Sequence, residues 1–114
     1  MQVNIKATNL EITPEIKKVI EEKISPLDRF VSGIKMPLEA FVEVGLVSRH
    51  HHKGDIFYAE ANIGLPGKII RSEAKEDNLF KAINVVKNEL QLLLKKYVKK
   101  QIAKKEKSAQ ELKK

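Results

Sequence analysis

The sequence contains no cysteine, which excludes disulfide bonds, thiolate metal sites and cysteine nucleophiles and is typical of proteins of the reducing cytosol. It also has no tryptophan and only six other aromatic residues, so we expect no platform on which single-stranded bases stack. Apolar runs are too short to cross a bilayer, and the chain does not open with a basic and then apolar leader. We therefore expect a cytoplasmic protein with no membrane partner and no secretion signal.

Positive charge is concentrated at one end of the chain. The formal net charge is +7, and residues 95–114, with nine lysines and two acids, carry all of it. Residues 1–94 hold 13 basic and 13 acidic side chains, which cancel, and this asymmetry favours a polyanion such as nucleic acid as partner. The length allows one domain, which we assign to residues 1–100. Residues 101–114 are expected to form a basic C-terminal helix extension or a disordered tail.

Hydrophobic periodicity predicts a strand and then a helix at the start of the chain. Apolar and polar residues alternate over residues 2–8, which is typical of a half-buried strand. Thr13 followed by Pro14 predicts a helix start, because the hydroxyl can cap and proline leaves no N–H unpaired. The apolar stripe of this helix continues past Pro26, which cannot donate a backbone hydrogen bond. We expect a kink there, or two abutting helices.

Three more strands and a long helix follow. Alternating patterns predict strands at 38–48, 56–65 and 69–75, with a hairpin turn at 65–68. Asp77 or Asn78 is expected to cap the last helix. The predicted core face of this helix comprises Leu79, Ala82, Ile83, Val86, Leu90, Leu93, Leu94 and Tyr97. The element order therefore predicts an α+β fold, a two-layer β-α-β-β-β-α domain with two helices packed on one face of a four-stranded sheet. Its last three strands form an antiparallel meander, and the edge with which the first strand pairs stays open.

Few residues indicate catalysis or metal binding. The run His50–His52, with Asp55 nearby, contains candidate metal ligands, but adjacent histidines in an extended loop point to alternate sides. We expect a polar loop there, with RNA phosphate contact as a further possibility and no metal site. The sequence has neither a nucleophile elbow nor a glycine-rich phosphate loop, so we expect no enzyme, no cofactor and no small-molecule substrate.

The basic surface of the last helix is the feature of the sequence that indicates a function for which a physical mechanism can be given. Six lysines lie outside its core stripe: Lys81, Lys87, Lys95, Lys96, Lys99 and Lys100. Lys81, Lys95 and Lys99 share one line along the helix, and such a line can follow a phosphate backbone. Two other interpretations are a lysine-rich face that serves solubility and a helix that lies on a membrane surface. The membrane interpretation is disfavoured because the apolar face of this helix is needed to cover the sheet.

Three stretches resemble the ribosome hibernation promoting factor and ribosome-associated inhibitor family, once called sigma-54 modulation proteins. The first joins the opening MQVNI to EITPEI at residues 11–16, the second is LDRF at 27–30, and the third is SEAKEDNLFKAIN at 72–84. The resemblance covers residues 1 to about 100. It implies a fold similar to the double-stranded-RNA-binding domain and a role without catalysis.

The resemblance also implies a partner, the small ribosomal subunit and its 16S rRNA. Family members occupy the channel of mRNA and tRNA and inhibit translation under stress or in stationary phase, by phosphate contacts and shape. The residues expected to contact rRNA are Lys18, Arg29, Arg71, Lys75, Lys81, Lys87, Lys95, Lys96, Lys99 and Lys100. The free protein is expected to be monomeric. The alternative is a general module that binds or chaperones double-stranded or structured RNA.

The last helix departs from the family pattern. Glu89 and Leu92 stand where the resemblance implies basic residues, and Phe80 stands where it implies tyrosine. The tail is basic, whereas the inhibitor branch often has an acidic one, and the chain is expected to be a short form without the family's dimerisation domain. We expect rRNA contact to shift by one to two helical turns toward Lys95–Lys100.

Overall fold

A computed structural model describes residues 1–31, 33–34, 37–48 and 54–112, with side chains left undescribed at 48 and 105–112. In chain order the elements are strand β1 (Gln2–Thr8), helix α1 (Pro14–Ile24), a 3₁₀ helix (Ser25–Val31), strands β2 (Glu39–Ser48), β3 (Ile56–Leu65) and β4 (Lys68–Glu76), and helix α2 (Leu79–Leu112). The predicted α+β order is confirmed. The histidines at 50–52, on which the metal interpretation depends, lie outside the described residues.

The four strands form one mixed sheet in the order β1-β2-β3-β4. Strands β2, β3 and β4 are antiparallel neighbours, as the meander predicts. Strand β1 pairs in parallel with β2, with Ile5 opposite Val42. A parallel pair needs a long crossover, which α1 and the 3₁₀ helix supply. The pairing edge of the first strand, which the sequence left open, is therefore the β2 edge.

The helices cover one face of the sheet and leave the other open. Helix α2 packs on β4 and β3 and also contacts α1 and the 3₁₀ helix, and these three elements form the helical layer. Buried side chains of the sheet, such as Val44 and Ile63, meet those of α2, such as Leu90 and Leu94. The predicted core face of α2 is buried except for Leu93, which is half-buried. None of the described helices has an apolar stretch long enough to span a membrane.

The helix boundaries follow from caps and from proline. The Ile16 amide donates to the Thr13 hydroxyl oxygen at 3.2 Å, and the Phe80 amide donates to the Asn78 side-chain oxygen at 2.8 Å. The cap of α2 is thus Asn78 rather than Asp77. Helix α1 ends at Ile24, two residues before Pro26, and the 3₁₀ helix continues its buried stripe. The break at Pro26 is therefore a junction of two abutting helices.

Candidate nucleic-acid interface

The outward face of α2 is basic because its apolar stripe faces the sheet. Lys81, Lys95, Lys96 and Lys99 are exposed there. Lys81 pairs with Asp77 at 3.6 Å, but both groups are exposed, so water and salt weaken this pair. The lysines of the last two turns before residue 100 have no ion-pair partner among the described side chains. Among the side chains that the structure describes, the positive charge outside ion pairs is therefore densest at 95–100.

The middle of this face is not basic. Leu92 is 61% exposed and Val85 is 38% exposed, and Glu89 is exposed beside them. Lys87 lies on the flank of α2, is half-buried, and donates to the Asn88 side-chain oxygen at 3.4 Å. The structure thus separates Lys81 from the group at 95–100 by a stretch with apolar side chains.

Two of the predicted residues, Arg29 of the 3₁₀ helix and Lys95 of α2, lie near the same aromatic ring. The guanidinium carbon of Arg29 lies 5.0 Å from the centre of the Phe30 ring, and the Lys95 ammonium lies 5.2 Å from the same centre. An aromatic face attracts cations through its quadrupole, so the ring of Phe30 attracts both the Arg29 and the Lys95 side chains. The basic surface therefore extends from α2 onto the neighbouring element.

Lys18 lies on α1, also in the helical layer. It is exposed and faces Glu22 at 4.0 Å, one helical turn away. Such a pair contributes a few tenths of a kcal/mol and opens readily, so it leaves the ammonium free for another anion.

Two predicted residues lie on the other side of the molecule. Arg71 and Lys75 project from β4 onto the open face of the sheet, away from the helical layer. Arg71 there faces two carboxylates, Glu60 at 3.2 Å and Glu73 at 3.4 Å. The ten predicted residues consequently divide, with eight on the helical layer and these two on the open face.

Sequence reasoning missed two lysines that join Lys100. A groove between the β3–β4 hairpin and α2 is lined by Pro66, Gly67, Lys68, Tyr97, Lys100, Gln101 and Lys104. We call Lys68, Lys100 and Lys104 the basic notch. The signal in the sequence is the sheet-facing stripe of α2, which runs through Leu94 and Tyr97 and then becomes polar at Gln101 and Lys104.

The open face carries a polar network instead of a basic surface. Tyr58 donates to the Glu43 carboxylate at 3.0 Å, and the Thr8 hydroxyl donates to the same oxygen at 3.1 Å. A hydrogen bond with Thr8 lowers the pKa of Tyr58, but burial, the Glu43 hydrogen bond and the charges of Glu43 and Glu60 outweigh it, so the pKa is raised. This network binds three strands together on the face opposite the basic surface.

Comparison with known proteins gives matches over most of the chain. A family model described as Sigma 54 modulation protein / S30EA ribosomal protein matches residues 3–102. The chain is 28% identical over 97 residues to a protein of Bacillus subtilis strain 168 named Ribosome hibernation promotion factor, covering 85% of this chain and 48% of that protein. It therefore spans about half the length of that relative.

Two further matches cover most of their own chains. A Haemophilus influenzae protein named Ribosome-associated factor Y is 29% identical over 99 residues, which cover 84% of this chain and 81% of that protein. The solved N-terminal domain of Thermus thermophilus Protein Y has a TM-score of 0.73 and 30% identity, over 85% of this chain and 99% of the domain. The fold described above is therefore also found in that domain.

Proposed function

The chain belongs to the Sigma 54 modulation protein / S30EA ribosomal protein family, and we propose that it is a ribosome hibernation factor that binds the small ribosomal subunit. Its site on the subunit is the channel of mRNA and tRNA, lined by 16S rRNA. It inhibits translation there under stress or in stationary phase. A ribosomal partner would place the protein in the cytoplasm.

One observation carries the proposal beyond family membership, namely the charge of the helical layer. Arg29 and Lys95 share the Phe30 ring, and Lys96, Lys99 and Lys100 follow within two helical turns. These cations come from two elements and form one surface. A surface of this kind neutralises successive phosphates and releases their counterions, which gives affinity without base recognition.

The proposed mechanism is steric competition. The domain presents cations on rigid helices, and α2 is held by a buried stripe that ends at Tyr97. A folded domain that fits an rRNA-lined channel excludes mRNA and tRNA from the same volume. No group in this mechanism transfers protons or forms covalent bonds, so the role is binding without catalysis.

Co-sedimentation with purified small ribosomal subunits tests the proposal. If about six phosphates are contacted, the affinity should fall roughly a thousandfold between about 50 and 200 mM monovalent salt. Subunits loaded beforehand with mRNA and tRNA should bind much less of the protein, because the channel is occupied. Absence of binding at low salt, or equal binding to loaded subunits, would contradict the proposal.

A single-lysine variant locates the surface. Lys99→Gln should weaken binding up to about tenfold near 0.1 M salt and reduce the salt slope by about one. Lys6→Gln is the matched control, since Lys6 is exposed on β1 and lies outside the predicted set. Equal effects of the two substitutions would mean that net charge, rather than this surface, drives binding.

The alternative function is a general module for structured RNA. The lysines at 95–100 favour it over sequence-specific binding, because lysine contacts to phosphates carry no sequence information. It predicts that an isolated RNA duplex competes as well as small subunits do at equal phosphate concentration. A preference of at least tenfold for the subunit would exclude it.

A further inference from the structure

The basic notch lies where the buried stripe of α2 ends, beside the β3–β4 hairpin. Upstream, the sheet-facing positions of α2 are the buried residues Leu90, Leu94 and Tyr97. The next positions on that side, Gln101 and Lys104, face the β3–β4 hairpin across a groove with Lys68. The face of α2 that covers the sheet thus ends in cations at the hairpin.

Three like charges around one groove repel one another. Lys68, Lys100 and Lys104 line it together, and the lining residues that the structure describes include no acidic side chain. None of the three forms an ion pair with the acidic side chains that the structure describes. All three residues are exposed, so water and salt weaken their mutual repulsion. A cluster of like charges still opposes local stability to a small extent, and such local conflicts are expected at functional sites.

The groove is held open by the fold. The Tyr97 hydroxyl donates to the Pro66 carbonyl oxygen at 2.9 Å, which fastens the hairpin to α2. Gly67 has a φ of 75°, the left-handed conformation that a two-residue Pro-Gly turn requires at its second position. This turn pairs Leu65 with Lys68, so Lys68, which lines the groove, is the first residue of β4. The hairpin cannot swing away from α2 without losing the tyrosine hydrogen bond.

We propose that the basic notch binds one phosphodiester group of an RNA strand. Lys68 of the hairpin and Lys100 and Lys104 of α2 supply the positive charge of this site. The proposal rests on the proposed function, since the RNA is that of the small subunit. The notch adds a phosphate contact on the hairpin side of α2. The RNA strand would therefore pass from the lysines on the outward face of α2 around the helix to the hairpin. Lysine suits this role because its ammonium is a compact point charge with three donors.

Binding of Lys68→Gln and Lys104→Gln to small ribosomal subunits tests the proposal. Each should weaken binding several-fold, up to about tenfold near 0.1 M salt, and reduce the salt slope by about one. Lys6→Gln, with the same loss of charge on the open face, should do neither. Each notch variant should also unfold at the same temperature as the wild type or higher at low salt, because repulsion is relieved. Weaker binding with undiminished stability distinguishes a binding site from a structural one.

Three outcomes would overturn the proposal. If wild-type protein binds small subunits and both notch variants match Lys6→Gln, the notch inference fails while the proposed function stands. If the wild type does not bind small subunits at all, both fail. The third outcome comes from a separate experiment, which compares the thermal unfolding of the protein in inorganic phosphate and in chloride at equal ionic strength. Specific stabilisation by phosphate in the wild type, lost in Lys68→Gln without a change in subunit binding, would indicate a site for a free anion instead.

Discussion

The Tyr58 ring packs over Gly45 on the open face of the sheet, and the two residues are partners in the β2–β3 register. A side chain at Gly45 would place its Cβ 2.5 Å from the Tyr58 ring and 2.6 Å from the Thr8 carbonyl oxygen. The ring therefore occupies the volume that any other residue at this position would need. This close approach lets the Tyr58 hydroxyl reach Glu43, so one glycine makes the polar network possible.

Gly45→Ala should destabilise the protein by about 1–3 kcal/mol, because the Thr8 carbonyl belongs to the backbone and cannot move aside cheaply. Gly64→Ala is the matched control on the neighbouring strand, since its Cβ would meet nothing within 4 Å. Its effect should stay within about 0.5 kcal/mol. Urea unfolding measures both, and equal losses would show that strand glycines are replaced at similar cost whatever their neighbours.

The raised pKa of Tyr58 predicts an alkaline loss of stability. The phenol keeps its proton to higher pH in the folded protein than in the unfolded chain, where it titrates near pH 10. The folded state therefore binds more protons, so this contribution is full below the unfolded pKa and is lost as pH rises through the folded pKa. Phenolate absorbance in a Tyr97→Phe background should report the raised pKa, since these are the only two tyrosines.

Glu43 supplies a control for that titration. Glu43→Gln should lower the pKa of Tyr58, because it removes a negative charge that opposes ionisation. Glu39→Gln, on the same strand, should leave it unchanged. A folded Tyr58 that titrates as in urea would contradict the role of this network.

At the scale of elements, α2 contributes both to the core and to the candidate nucleic-acid interface. It begins at the Asn78 cap, buries one stripe as far as Tyr97, and continues as helix to Leu112. Tyr97, the last buried residue of the described stripe, donates to the Pro66 carbonyl oxygen of the β3–β4 hairpin. One element therefore carries a buried half that fixes its position and a basic end that forms the candidate interface.

The cap of α2 gives a prediction at this scale. Asn78→Ala should cost about 1 kcal/mol, because the Phe80 and Lys81 amides both lose the oxygen that accepts their hydrogen bonds. Asn84→Ala replaces an exposed asparagine inside the same helix and should be neutral or slightly stabilising, since alanine favours the helix. Thermal unfolding of the two variants measures the difference, and a loss in Asn84→Ala as large as in Asn78→Ala would argue against a capping role.

At the scale of the whole molecule, the two faces of the domain differ in charge. The helical layer presents the lysines of α2 together with Arg29, whereas the open face pairs Arg71 with glutamates. The long axis of the molecule measures 65 Å against 27 and 17 Å, because α2 extends beyond the sheet. A polyanion is therefore expected on the helical side and along the projecting helix.

Truncation after Lys104 tests how much the end of the helix contributes. Residues 105–114 hold four lysines and two acids, a net charge of +2, and the truncated chain keeps the basic notch. The proposed function predicts that binding to small subunits survives with a loss of no more than about tenfold at 0.1 M salt. Loss of nearly all binding in the same co-sedimentation assay would indicate a tail-driven binder and favour the general RNA-binding alternative.

The local features of the fold were determined by the sequence itself. Thr13 with Pro14 and the apolar stripe of α2 placed both helices, because caps and periodicity depend on residues within a few positions of one another. The alternation in the strands likewise assigned the buried face of the sheet. The sequence also indicated the family, since its three motifs are short local stretches of the chain, and the family model confirms it.

Only the tertiary structure decided which distant residues meet. The parallel pairing of β1 with β2 depends on how the crossover closes, and no pattern inside β1 specifies its neighbour. The same holds for the candidate interface, where Arg29 and Lys95 share the Phe30 ring, Arg71 pairs with glutamates, and Lys68 and Lys104 line one groove. A charge can be counted from the sequence, but its availability to a partner depends on the charges that folding places beside it.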